Sequence, residues 1–469
     1  MAEKVRTRIA PSPTGFLHIG TAQIALFNWL FAQHEKGEFL VRIEDTDKER
    51  SKKEFEDDAL EGLKWLGLEW DEFYRQSDRT DIYKKYIEQL LDSGKAFWCH
   101  HTKEELEKEK KAQQERKEAP RHLCEYKKEG GTGVDRGIIR LSVDHDSDKK
   151  IRFTDLIKGE IEFEEKLIGD FSIAKDQDTP LFHLANVVDD FEMNITNVIR
   201  GDDLLANVPR QILLRETLGL TGIQYAHMPM ILAPDKSKLS KRHSATALHE
   251  YRELGYLPEG IINYLTLLGF SLPEDREIIE INELIKIFDL TKVHQSGAVF
   301  DIKKLGWVNG EYIKKMSNND LAEMLKPMIE QIFKTDIKEE TLLQLTPLFR
   351  ERMKKLSDIK DFDYFFKEPE YDKELLIWKA RTDKEVKNSL TEVRRILESN
   401  GLDDIQKLRE QLDELGKRLK DRGLVYWPLR AALTGKDKSP DPVDIAGVLV
   451  SNMGIDEILK RIDKAIGKL

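Results

Sequence analysis

The sequence predicts an α/β fold: a Rossmann-type doubly wound parallel sheet with an inserted α+β subdomain, followed by an all-helical C-terminal half. Two observations carry the prediction. In the first 100 residues, short apolar runs alternate with longer helical periods, the rhythm of parallel strands joined by helices. Beyond about residue 245, the apolar spacing is helical almost throughout to Leu469. A chain of 469 residues is too long for one compact core, so about two to four domains are expected.

Residues 5–10 read as a strand, and 11–15, with Pro11, Pro13 and Gly15, as the turn after it. Residues 21–35 are apolar almost all round, the mark of a helix buried against a sheet. A strand follows at 39–43, then amphipathic helices at 53–66 and 79–91, the second closing at Gly94. Residues 102–128 are dense in Lys and Glu and predict a solvated helix with internal ion pairs. Short β-rich pieces between 137 and 171, among them Gly137-Ile-Ile-Arg-Leu and Glu160-Ile-Glu-Phe, mark the insertion. The α/β rhythm resumes at 182–188 and 195–200, with a helix at 209–218 and a strand near 228–232.

Hydrophobic residues make up 40% and charged residues 35%, which suits a soluble protein with long exposed helices. No apolar run reaches the roughly 20 residues that span a bilayer, and the first nine residues hold no apolar stretch of the signal-peptide kind. The two cysteines, Cys99 and Cys124, exclude a disulfide framework and fit a reducing cytoplasm. The net charge of −11 argues weakly against a small nucleic-acid-binding domain, but a large acidic protein can still carry a basic RNA-binding face.

Two stretches carry chemistry. In Arg8-Ile-Ala-Pro-Ser-Pro-Thr-Gly-Phe-Leu-His-Ile-Gly-Thr-Ala, a strand turns into a helix, whose free N–H groups attract phosphate. His18 can donate to a phosphate oxygen, and Gly20 clears a side chain from a nucleotide's approach. In Asp235-Lys-Ser-Lys-Leu-Ser-Lys-Arg-His, clustered basic side chains can stabilise a polyphosphate transition state. Alone, each stretch reads equally as a packed turn or a solvated basic loop. Together, in this order and about 220 residues apart, they resemble the histidine-glycine and lysine-serine-lysine signatures of class I aminoacyl-tRNA synthetases. Pro-Ser-Pro-Thr-Gly is similar to the glutamyl, bacterial-type branch, with Thr21 where the wider superfamily often has a second histidine.

The resemblance runs nearly end to end and implies a ligase that joins L-glutamate to tRNA(Glu), and in some members also to tRNA(Gln), using ATP with Mg2+. It implies a cytoplasmic monomer. It divides the chain into a catalytic domain at 1–100 and 186–240, an inserted acceptor-binding subdomain at 101–185, a helical stem-contact domain at 241–318 and a helical anticodon-binding domain at 319–469. It puts Lys241 on the α-phosphate opposite His18, with Gly20, Lys238 and Ser240 completing the nucleotide site. Glutamate offers two carboxylates and an ammonium, which call for arginines and an acid. The positions that match the family's pocket are Arg8, Ala10, Ser12, Glu44, Asn186 and Arg200, with Phe182 where the family usually has tyrosine. Some family members hold zinc at the spacing of Cys99-x-His101 and Cys124-x-Tyr126, with His100 and His122 as competing ligands. Trp427-Pro-Leu-Arg-Ala-Ala-Leu-Thr-Gly supplies Arg430 and a helix start, and Arg350 and Arg352 are anticodon candidates. The glutaminyl branch usually carries a β-barrel anticodon module and Glu-Pro-Asn in the first signature, and small-molecule nucleotidyltransferases lack the helical half. A non-catalytic RNA-binding scaffold is expected to have lost His18 or Lys241, and both are present.

Overall fold

The computed structural model describes residues 4–118, 120–129, 137–240, 242, 246–400 and 404–469. They form two compact units, Met1–Glu253 with Pro258–Val308, and Leu254–Leu257 with Asn309–Leu469.

The first unit is built on strand β1 (Arg6–Ile9), helix α1 (Ile19–His34), β2 (Glu38–Ile43), α2 (Lys53–Trp65), β3 (Glu72–Arg75), α3 (Thr80–Asp92) and β4 (Ala96–Cys99). After α4 (Lys103–Glu115) come β5 (Ile138–Leu141), β6 (Lys150–Asp155), β7 (Gly159–Glu164), β8 (Phe171–Ala174), α5 (Phe182–Glu192), β9 (Asn197–Gly201), α6 (Val208–Leu218) and β10 (Gln224–Met228). Strands β1, β2 and β3 are parallel neighbours in that order, and β10 pairs in parallel with both β9 and β6. Thr196 N–H donates to Arg6 C=O at 3.0 Å, which ties the start of β9 to β1. The chain therefore winds outward from β1 one way and from β9 the other. Doubly wound sheets bind ligands beyond the strand ends at such a reversal.

Helix α1 is buried on nearly every side because it packs on β1, β2 and β9 and also under two later helices. Its buried amide groups donate inside: Asn28 Nδ2 donates to Ile199 C=O at 3.0 Å, and Gln23 Nε2 to Leu265 C=O at 3.0 Å. It starts at Ile19, two residues before the position read from apolar spacing. Strand β10 lies earlier than the expected 228–232. Its ladder with β9 runs from Gln224 to Met228 and stops at Pro229, which has no N–H to donate. The charged helix is shorter than 102–128. A Thr102–Glu105 capping box starts α4, and Lys117 leaves it at φ +60°. Residues 130–133, read as the breaker, lie outside the described residues.

The insertion is sorted between two sheets. β4, β5 and β8 form an antiparallel sheet in that order, while the β6–β7 hairpin extends the main sheet through β10. The expected boundary after residue 100 therefore separates β4 from its partners.

The second unit is helical, with helices at Asn318–Phe333, Glu339–Arg350, Asp383–Asn400, Ile405–Arg418, Gly423–Thr434, Pro442–Met453 and Ile455–Lys468. The helix at Gly423–Thr434 begins before Trp427, not after it, so Pro428 lies inside the helix. Its missing N–H would orphan Leu424 C=O. The buried Ser389 hydroxyl donates to that oxygen at 2.8 Å instead. The anticodon candidate Arg350 donates from Nη1 to Met316 C=O at 3.1 Å, and Arg430 donates from Nε to Ser439 Oγ at 3.2 Å. Among the described residues, no helix is long and apolar enough to cross a membrane.

Candidate active site

The two signature stretches meet. His18 caps α1: its Nδ1 accepts from Gly20 N–H at 3.0 Å. A Cβ on residue 20 would stand 3.3 Å from that nitrogen, so glycine leaves room for the capping ring. Ile19 N–H donates to Thr246 C=O and Leu248 N–H to Leu17 C=O, both at 2.8 Å. The far end of the basic loop is thereby stitched to the start of α1. Its near end is a tight turn in which Asp235 Oδ1 accepts from the Ser237 N–H and hydroxyl.

Between them lies a cavity of about 290 Å³, lined by His18, Gly20, Thr21, Gln23 and Ile24 from α1's start, Gly201 and Asp203 beyond β9, Pro229–Ile231 beyond β10, and Lys238 and Leu239. Lys238 Nζ rests 3.1 Å from Asp203 Oδ2, both exposed. Ser240, within the loop, is half-buried. Lys241 lies outside the described residues.

A second cluster sits among β1, β2 and α5. Arg8 Nε donates to Asp190 Oδ1 at 2.9 Å, and Arg42 Nη1 to the same oxygen at 2.7 Å. Arg42 Nη2 reaches Glu44 Oε1 and Asn186 Oδ1, both at 3.0 Å. Asp189 beside them takes Arg79 Nε at 2.7 Å and the Tyr83 hydroxyl at 2.9 Å. Apart from the partly exposed Arg79, all are nearly or fully buried, with Arg8 3%, Arg42 0% and Asp190 6% exposed. Burial would push the Asp190 carboxyl up, but Arg8 and Arg42 hold it well below the usual carboxylate range. Glu44 is pushed up by burial, more than Arg42 and Arg8 pull it down.

Arg200, at the end of β9, is 5% exposed. It donates from Nε to His227 Nε2 at 3.1 Å and from Nη2 to Gln211 Oε1 at 2.8 Å, and it stacks 5.7 Å from the Tyr225 ring. Among the described residues it has no carboxylate partner, and burial lowers its pKa to about 10. Arg8, Asp190 and Glu44 all act on it electrostatically, which puts it beside the second cluster. A buried guanidinium without an anion is a place where an anionic ligand gains most.

Of the expected pocket residues, Arg8, Glu44 and Asn186 form one network and Arg200 adjoins it. Ala10 is half-buried and Ser12 exposed on the turn after β1, which Glu44 N–H joins by donating to Pro11 C=O at 3.0 Å. Phe182 opens α5, its carbonyl accepting from Asn186 Nδ2 at 3.1 Å and its ring edge-on to His183 at 5.5 Å. His183 is held neutral, at about 4, by burial and by Arg210 and Arg200. Sequence reasoning missed Arg42, Asp189 and Asp190. The readable signal was a charged residue inside the apolar run 39–43 and paired aspartates in an apolar helix.

In the insertion, Cys99, His101, His122 and Cys124 bring one ligand atom each within 4.8 Å of one another. Cys99 Sγ lies 3.5 Å from His101 Nδ1 and 3.5 Å from His122 Nε2, and Cys124 Sγ lies 3.6 Å from His101 Nδ1. Zn–S near 2.3 Å and Zn–N near 2.0–2.1 Å give tetrahedral S···N edges of about 3.5–3.6 Å, so the four side chains fit zinc. The other His122 nitrogen, Nδ1, is 2.6 Å from Glu109 Oε2, the carboxylate support usual for a ligating histidine. His122, one of the two competing histidines, thus belongs to this group. The Tyr126 ring packs edge-on at 5.0 Å against both His100 and His101, while His122 reaches the sulfur.

Known proteins bear on both units. The catalytic domain of class I tRNA synthetases (E and Q) matches residues 4–307, and an anticodon binding domain matches 320–466. A glutamate–tRNA ligase of Aquifex aeolicus is 42% identical over 483 residues, covering 99% of each chain. Glutamate–tRNA ligase 1 of Caldanaerobacter subterraneus subsp. tengcongensis is 40% identical over 487 residues, covering 99% of this chain and 98% of its own. The crystal structure of a glutamate tRNA ligase from Elizabethkingia meningosepticum, in complex with its amino acid, superposes with a TM-score of 0.84 at 33% identity over all of both chains.

Proposed function

The chain belongs to the class I tRNA synthetases of the E and Q group, and we infer that it is a glutamate–tRNA ligase. It activates L-glutamate with ATP and transfers the glutamyl group to the 3′-terminal ribose of tRNA(Glu). The single observation that carries the amino-acid choice is Arg200, buried next to the Arg8–Glu44 cluster with no carboxylate partner among the described residues. A side-chain carboxylate completes that arrangement, and a neutral amide does so less well.

ATP fits the cavity at the start of α1, with its phosphates toward the helix N-terminus. His18 and Lys238 line that cavity and supply donors to the phosphates. Magnesium shares the phosphate charge when bound. The glutamate α-carboxylate attacks the α-phosphorus and pyrophosphate leaves, so positioning and charge stabilisation carry the step without a protein nucleophile. Lys241 on the same loop is assigned the α-phosphate, with Gly20 and Ser240 supporting the loop and helix start. Glu44 takes the substrate ammonium once ionised, Arg8 and Arg200 the carboxylates, and Asn186, Ala10 and Ser12 border them. Phe182 packs on the substrate chain, and its lack of a hydroxyl leaves Arg200 a larger share of the carboxylate contact.

The Cys99–His101–His122–Cys124 group is assigned a structural zinc, supported by the S···N spacings. The resemblance supports a cytoplasmic monomer and the domain roles set out above, and it leaves tRNA(Gln) as a second substrate for the charging assay to decide. Charging labelled glutamate, with ATP and magnesium, onto separate tRNA(Glu) and tRNA(Gln) transcripts tests the reading. Glutamate on both transcripts supports the dual assignment, glutamate on tRNA(Glu) alone removes tRNA(Gln), and no charging of either rejects the function.

A further inference from the structure

Arg200 is held by more than its pocket. Strands β9 and β10 pair with Arg200 opposite His227, and Arg200 Nε donates to His227 Nε2 at 3.1 Å. Arg200 has no acceptor to offer, so that imidazole nitrogen must be bare and the ring proton must sit on Nδ1. There Asp155 Oδ2 lies 2.6 Å away. The other Asp155 oxygen accepts from the backbone N–H groups of Ile157, Lys158 and His227 at 2.9–3.1 Å, which leaves the carboxylate no room to turn. Asp155 is 1% exposed and His227 0%.

Burial pushes the His227 imidazole down and keeps it neutral. Burial also works against ionised Asp155, but hydrogen bonds from His227 and from the Lys158 and His227 backbone hold it below its ordinary value. A carboxylate and an imidazole in a dry core cost desolvation that apolar residues on β10 and β6 would avoid. The hydrogen-bonded series they form ends on a guanidinium that has no carboxylate of its own among the described residues.

We propose that Asp155 and His227 are positioning residues for the amino-acid pocket: Asp155 fixes the tautomer of His227, and the bare Nε2 fixes the Arg200 guanidinium that receives a glutamate carboxylate. The proposal rests on the reading of Arg200 as a carboxylate ligand. It also makes β6, a strand of the inserted segment, part of the pocket's support.

The test is ATP–pyrophosphate exchange by the full chain in the presence of tRNA(Glu). H227N keeps a donor toward Asp155 but removes the acceptor from Arg200. Its KM for glutamate rises about tenfold, the usual scale for one charge-assisted hydrogen bond, while KM for ATP stays unchanged. H227Q carries an amide oxygen near the former Nε2 and recovers most of the loss. R200A separates the two readings. If R200A leaves KM for glutamate unchanged, the pocket assignment of Arg200 fails. If R200A raises it while H227N matches the parent, or H227Q is as impaired as H227N, the positioning role is overturned. Should the histidine variants not fold, a neutron crystal structure of the unmodified protein decides. Deuterium on His227 Nδ1 alone supports the proposal, and deuterium on Nε2 overturns it.

Discussion

Replacing Asp190 by Asn removes one charge and almost no volume, so it isolates the electrostatics of the cluster beneath the pocket. Asp190 accepts from Arg8 at 2.9 Å and from Arg42 at 2.7 Å. Arg42 would keep Glu44 at 3.0 Å and Asp189 at 3.7 Å. Arg8, 3% exposed, would keep no carboxylate among the described residues. Leaving one buried partner of an ion pair uncompensated costs about 3–5 kcal/mol. In a unit of about 300 residues that is a fall of roughly 5–8 °C in Tm, read by calorimetry. The pH dependence has a definite sign. Asp190 is held below its ordinary value in the folded state, so its contribution is complete above the unfolded value of about 4 and is lost as pH falls through the folded value. The gap between parent and D190N should therefore be full at pH 7 and narrow on acidification. A loss below about 1 kcal/mol at pH 7, the range of exposed pairs, would mean that Arg8 does not depend on Asp190 for its charge balance.

His18→Ala should lower kcat for pyrophosphate exchange about 10²–10³-fold, the scale of one positioned donor at a developing charge, with KM for glutamate little changed. Purified protein should hold one zinc per chain by mass spectrometry of metals. H122A should lose it and Y126F retain it, and the reverse pattern would restore the ligand set read from the sequence. Ser389→Ala leaves Leu424 C=O buried without its donor and should destabilise the helical unit by about 1–3 kcal/mol in urea unfolding. No change would mean another donor takes that oxygen.

Much of the fold is written in local pattern. The run 21–35 declares a buried helix because α1 touches the sheet on one side and helices on the other. The turn into α1 is legible because Pro11, Pro13, Gly15 and Gly20 fall at short offsets around His18. The features that stay hidden depend on distant partners. Arg42 meets Asp190, 148 residues away, and Asp155 meets His227, 72 residues away. No local period announces either pair. Cys124-x-Tyr126 mirrors Cys99-x-His101 in spacing and so draws attention from His122. The described residues between α4 and His122 lie outside any helix, and His122 reaches Cys99 by a path that helical spacing does not describe. Pro428 misleads for a related reason: its helix-breaking character is cancelled by Ser389 on another helix.

If one site at the ends of β1 and β9 takes both halves of the adenylate, a non-hydrolysable glutamyl-adenylate analogue should fill it from end to end. A crystal structure of that complex should place adenine and ribose in the cavity bordered by Gly20, Gly201 and Met230, and the side-chain carboxylate on Arg200. An analogue bound with its glutamyl end away from Arg200 and Arg8, or with its nucleotide outside that cavity, would contradict the single-site reading.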